Sequence, residues 1–175
     1  ESIEGDVAFG QSHVEHNQAI NGLYMFANCY NLKSVDNLYN YEWPGISLST
    51  GAHMFEDCQN LKSIGFPILM EGGSCESMFE NCINLEKVAV IDFGGGNRSM
   101  QSMFAQCYSL QEVNILNTQA VTNMSSAFKM HDRGPAYGLC NSLLKLPVFP
   151  TDAVTDVSNM FAYNFFADGA LAMYQ

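Results

Sequence analysis

The sequence predicts a solenoid in the α/β class: a right-handed stack of short parallel strands, with short helices or 3-10 turns on the other side of each coil. Three observations carry this. A pattern that first reads Met25-Phe26-x-x-Cys29-x-x-Leu32-x-x-Val35 returns with its phase intact from Met54, Met78 and Met103. Start-to-start spacings along six copies are 29, 24, 25, 24 and 33, and a fixed period in this range marks a stacked repeat. Within a copy, apolar residues three or four apart give way to strict alternation, the change from helix-like to strand-like periodicity.

In chain order, residues 1–18 match no clean copy and are expected to be an N-terminal cap or partial repeat. Residues 19–175 are read as the solenoid of about six repeats. The first half of a copy, as in Val121-Thr122-Asn123-Met124-Ser125-Ser126-Ala127-Phe128, reads as one short helical or 3-10 turn with Thr122 or Asn123 as its cap. The second half, as in Leu85-Glu86-Lys87-Val88-Ala89-Val90, alternates at period 2 and reads as a strand with one buried face. Asn31, Asn60, Asn84, Ser109 and Ser142 precede the repeat Leu. Asn tolerates the left-handed backbone that ends a turn, so these positions are expected either to be left-handed or to be plain loop residues. The fifth copy starts at Ala127-Phe128 and reaches Cys140 and Leu143 only after nine extra residues, an insertion near 129–139. The sixth keeps Met160-Phe161 and then diverges.

Stacking puts like positions above one another about 4.8 Å apart. Phe26, Phe55, Phe79, Phe104, Phe128 and Phe161 should then form a buried ladder of rings. Tyr108 should be more exposed than Phe104. Five of the six cysteines (29, 58, 82, 107 and 140) share one repeat position. They are expected to be reduced packing residues, since Cys is small and apolar enough for a narrow corner. Cys75 stands outside this column.

The strand half resembles the Leu-x-x-Leu-x-Leu strands of leucine-rich repeats. The Met-Phe-x-x-Cys-x-x-Leu half, with Val121–Phe128 before it, resembles more closely the bacterial surface-protein repeat of the BspA-like branch of that family, over about residues 19–161. The Phe-Asp-Thr-Ser stretch common in that family has only partial echoes here, in Leu116-Asn117-Thr118-Gln119 and Phe149-Pro150-Thr151-Asp152. The resemblance implies a secreted or surface-attached adhesion or protein-interaction module of gut or oral bacteria or mycoplasmas, with no defining catalytic residues. It also fits a piece of a longer protein.

Charge narrows the partners. Eighteen acids face seven bases, for a net charge of −11, and the only arginines are Arg98 and Arg133. Phosphate backbones demand clustered Lys and Arg, so nucleic acid is not an expected partner. No apolar run reaches the ~18 residues of a membrane helix. The first residues lack the basic and apolar stretches of a signal peptide, so any such signal is removed or was never present.

Catalytic, cofactor and metal motifs do not emerge. His13-x-x-His16 offers two ligands without a third, where zinc takes three or four. Gly94-Gly95-Gly96-Asn97-Arg98-Ser99 lacks the Lys and Ser of a phosphate-binding loop and reads as a turn. Asn97-Arg98-Ser99 and Asn123-Met124-Ser125 are formal glycosylation sequons, without meaning in a bacterial protein. A hydrolase-associated role would need convergent acids and bases that no motif supplies.

Two features suit recognition. One is the outward row of the strands: Ser34, Asp36, Ser63, Lys87, Glu112, Asn114 and Lys145, beside Gly65, Ala89 and Pro147. Solenoids bind partners along such surfaces, though an ordinary solvated sheet face looks the same. The other is the insertion with His131, Arg133 and Tyr137, since repeat insertions map to loops on the binding face or to neutral surface. The expectation is a monomeric, extracellular, non-enzymatic module that binds a protein or glycan of a host or neighbouring cell. A structural spacer without its own ligand is the alternative.

Overall fold

The computed structural model describes residues 19–35, 45–94, 96, 99–130, 150 and 152–164, together with the backbone of 3–8 and 36–39. Its strands are β1 (Ile3–Ala8), β2 (Ile20–Asn21), β3 (Ser34–Tyr39), β4 (Ile46–Thr50), β5 (Ser63–Met70), β6 (Lys87–Asp92) and β7 (Glu112–Leu116). All pair in parallel within one sheet: β1 with β3, β2 with β4, β5 with β3, β4 and β6, and β6 with β7. The two ends of β5 do what β3 and β4 do separately one coil earlier, and the added residues of the longest clean spacing fall between those two strands.

Each coil bends where the register shifts, between Ile64 and Pro67 against β6 and between Val88 and Ile91 against β7. A bulge turns the strand there. Pro67 is tolerated in a strand paired on both sides because it stands at that break in the ladder.

The far side of the coil corrects the expectation of short helices. Each Met-Phe segment is a string of non-helical turns, with Met54 N–H bonded to the Gly51 carbonyl, Glu56 to His53 and Cys58 to Phe55. Tyr24, Asn28, His53, Asp57, Ser77, Asn81, Ser102 and Gln106 all have positive φ, which no right-handed helix accommodates. The intervening amides reach the next coil instead. His53, Phe55 and Asp57 donate to the carbonyls of Glu76, Met78 and Glu80 at 2.8–2.9 Å. The cause is spacing: helices pack ~8–10 Å apart, whereas parallel strands stack at ~4.8 Å. A coil with a strand on one side cannot hold a helix on the other without splaying. Among the described residues the one 3-10 turn is Thr118–Ala120, just after β7.

The caps foreseen for a helix serve these turns. Asn21, Thr50, Ser74, Ser99, Asn123 and Asp156 each accept, through a side-chain oxygen, the N–H two residues on. The Asn before the repeat Leu is not left-handed; Asn31, Asn60, Asn84 and Ser109 are absent from the positive-φ positions. The amide of Asn60 donates to the Tyr30 carbonyl and that of Asn84 to the Gln59 carbonyl, at 2.7 and 2.8 Å, tying coil to coil.

Inside, the ladder of rings is present. Centroids along Phe26, Phe55, Phe79, Phe104, Phe128 and Phe161 lie 5.1–5.6 Å apart, with planes within 12° of parallel. Each fully buried ring stabilises the fold by roughly 1.5–3 kcal/mol. Tyr108, expected to be more exposed than Phe104, is so by a small margin, 8% against 0%, and is itself buried. It shares a column with half-buried Gln59 and Ile83, so neighbouring coils cover it too.

Candidate functional site

Two outward residues stand between the buried Leu and Val of each copy, because a turn-to-strand step at Leu-x-x-Val leaves the middle pair facing solvent. Pairing aligns the second of each pair into one row: Ser34 opposite Ser63, Ser63 opposite Lys87, and Lys87 opposite Glu112. Lys87 and Glu112 are exposed, and Ser34 and Ser63 half-buried. Asn114 is also exposed, further along β7. Asp36 lies on β3, where only the backbone is described, and Lys145, His131, Arg133 and Tyr137 lie outside the described residues.

The first residue of each pair makes a second row, missed from the sequence: Lys33, Lys62, Glu86 and Gln111, all exposed. Its backbone is stitched by Lys62 N–H to Lys33, Glu86 to Lys62 and Gln111 to Glu86, at 2.8–3.1 Å. Repeat phase alone would have exposed it, since it lies one residue from the row that was chosen. Lys33, Lys62 and Lys87 thus bring three of the chain's seven bases onto adjacent coils. The contact between His53 and Glu56, at 3.0 Å, lies elsewhere. Lys33 and Lys62 set like charges on neighbouring coils, while Glu86 follows Lys62 and Glu112 faces Lys87, so the earlier coils are the positive end of these rows.

On the turn face, polar side chains in the earlier coils bond one another. His53 pairs with Glu56 and stacks on Tyr24 at 4.6 Å, Ser77 donates to Glu80 at 2.6 Å, and Asn81 donates to Asp57 at 2.5 Å. In the following coils Ser102 and Ser126 make no such bond with the described residues, while the Asn123 amide donates to Gln101 at 3.1 Å. Asp156 is held below the usual carboxylate range by hydrogen bonds from the Ser158 amide and hydroxyl.

The cysteines form the expected spine, without disulfides among the described residues. The thiols of Cys58, Cys82 and Cys107 each donate to the carbonyl of the Phe one coil below. Burial, first of all, pushes the Cys58 thiol up to about 12, and burial raises Cys75, Cys82 and Cys107 as well. These groups are neutral and unreactive at ordinary pH. Cys75 fills the first turn position, a column it shares with Gly22, Gly51, Met100 and Met124, and is fully buried.

Asn123 of the second sequon is spent on structure. Its carbonyl oxygen accepts from Ser125, and its amide donates to Gln101. Among the described residues no group of three or more His, Cys, Asp or Glu is placed to hold a metal, and no helix is long and apolar enough to cross a membrane. His13 and His16 lie outside the described residues.

Comparison with known families finds six copies of the BspA-type leucine-rich-repeat region, matched over residues 22–132. No curated protein and no solved structure matches the chain.

Proposed function

Because the chain belongs to the BspA-type leucine-rich-repeat family, we propose that it is an adhesion-type module outside a bacterial cell that grips an acidic surface of a partner protein with the start of its strands. The family is one of repeat domains for protein interaction, generally without enzymatic activity. The extracellular setting and the host or neighbouring cell as the source of the partner rest on that kinship.

The observation that carries the reading is the Lys33, Lys62 and Lys87 cluster. It sets positive charge on the first coils of one edge, bounded by Glu86 and Glu112, in a chain whose net charge is −11. Complementary charge steers a partner and fixes its register more than it adds affinity. The flat rows of Ser34, Ser63 and Asn114 beside it supply a surface without large side chains in the way.

Fluorescently labelled protein applied to intact host or bacterial cells tests this. Wild type should bind, less so at high salt, because exposed charges are screened beyond ~8–10 Å. Lys33→Glu, Lys62→Glu and Lys87→Glu combined should abolish binding, while each shifts stability by under ~0.5 kcal/mol. Binding that ignores the triple variant but is lost on deleting 131–139 would move the site to the insertion. Absence of binding to every cell type tried would favour the spacer.

A further inference from the structure

A second feature lies on the turn face, away from the lysine edge. The column that holds Glu56 and Glu80 continues as Ala105 and Lys129. With only a methyl group between two long side chains, the face sinks into a half-open cleft of about 310 Å³. Ser102, Gln106 and Ser126 line it with Glu80 and Lys129, and Met130 and the half-exposed ring of Tyr163 form an apolar wall.

The loss of one kind of bond along this column has the same origin. In the two preceding coils the left-handed residue bonds the carboxylate three positions on, as His53 does Glu56 and Ser77 does Glu80. Ser102 meets Ala105 instead, and Ser126 meets Lys129. The side chains of Ser102, Gln106, Ser126, Lys129 and Tyr163 make no hydrogen bond or ion pair with the described residues. Five polar groups without a partner among the described residues, set around one concavity, are what a ligand site offers, and ~300 Å³ is the lower end of small-molecule pockets.

We propose that this cleft holds a single sugar ring, a pyranose with free hydroxyls. The groups differ in kind: Lys129 donates, the Glu80 carboxylate, one oxygen of which already accepts from Ser77, accepts, and Ser102, Ser126 and Gln106 do both. Adjacent hydroxyls, each donor and acceptor at once, satisfy that mixture. A zwitterion or a simple anion would engage the two charged ends and leave the hydroxyls and the amide between them unmet. The C–H face of a pyranose also needs an apolar partner, which Met130 and Tyr163 supply. The ring could come from a host glycan or a bacterial polysaccharide, since the chemistry is the same. This site is independent of the lysine edge and adds a saccharide contact to the proposed protein contact.

Saturation-transfer NMR on the whole chain tests it with methyl glucoside, methyl galactoside, N-acetylglucosamine and N-acetylneuraminic acid as probes, and glycylglycine as the zwitterion. At least one sugar should receive magnetisation, strongest on the C–H protons of one face. Gln106→Ala and Tyr163→Ala should each weaken binding by about five-fold or more, the scale of one lost hydrogen bond. Urea midpoints identify any variant that fails to fold, and Gln106→Ala carries the test if Tyr163→Ala does. The Lys33, Lys62 and Lys87 triple variant should bind the sugar unchanged, so failure here and failure of the lysine edge are separable. Transfer to none of the four sugars, transfer that survives both substitutions, or transfer to glycylglycine alone overturns the proposal.

Discussion

The Cys82 thiol donates a hydrogen bond to the carbonyl of Phe55, 3.1 Å away in the coil below. The contact joins the two core columns of the repeat and gives the thiol a reason to stay protonated. Cys58 and Cys107 make the same contact with Phe26 and Phe79. A cysteine at this position is therefore a small core residue whose one polar hydrogen closes a gap between coils.

Alkaline instability follows. In the folded chain these thiols titrate above their unfolded value, with Cys58 at about 12. The native state keeps protons that the unfolded state loses, so the stabilisation is complete below the unfolded value near ~8.5. It drains away as pH climbs toward the folded values. Between pH 7.5 and 10.5 the urea midpoint should fall, by up to about 1.4 kcal/mol per thiol for each pH unit above that unfolded value. A midpoint that holds or rises would contradict the spine.

Thiol counting gives a second check. Cys29 is exposed, while Cys58, Cys75, Cys82 and Cys107 are buried. Ellman's reagent should modify Cys29 quickly in the native protein and the four buried thiols only after unfolding. Without reductant, the denatured chain should titrate close to its full six.

Phe104→Ala removes a ring stacked on both sides, by Phe79 at 5.4 Å and Phe128 at 5.6 Å. The cost should be about 3–5 kcal/mol. Phe26 is only partly buried, and its truncation should cost clearly less in the same urea titration.

Gly73 and Gly72 make a matched pair. A Cβ at Gly73 would lie 2.2 Å from the Ser49 carbonyl oxygen on a backbone with φ of +71°, whereas a Cβ at Gly72 meets nothing within 4 Å. Gly73→Ala should destabilise by more than ~1 kcal/mol, and Gly72→Ala should be neutral or slightly stabilising. Equal thermal midpoints for the two variants would refute this.

Asn81 combines positive φ with a hydrogen bond from its side-chain amide to the Asp57 carboxylate. Asn81→Val loses both and puts a β-branched residue in the left-handed region; Asn81→Gly loses only the bond. The Val variant should be the less stable by about 1 kcal/mol or more, read from urea midpoints.

The ladder of Phe26 to Phe161 and the cysteine column were legible because they follow from repeat phase alone, whatever the backbone does between them. Helices were not a sound inference, because Met54, Phe55, Cys58 and Leu61 fall three or four apart in a string of turns just as in a helix. What separates the two is the distance to the next coil, a property of the stack that no single copy reveals. Lys33 and Lys62 were missed by assigning one outward residue to each strand start where there are two. The cleft at Ala105 was hidden for a different reason. It arises from a side chain that is missing, and it shows only when Glu80, Ala105 and Lys129 are set in one column.

The Phe amides of the turns all point the same way. Phe26, Phe55, Phe79, Phe104 and Phe128 each donate toward the later coil and never the earlier one. In a sheet, successive amides alternate and their dipoles cancel; here they add, as along a helix axis. The turn side is thus electrically polarised from its first coil to its last, each bond strengthening its neighbours. A coil inserted or exchanged by design will lock in only with that polarity kept, which makes the stack read in one direction, like type set in a line.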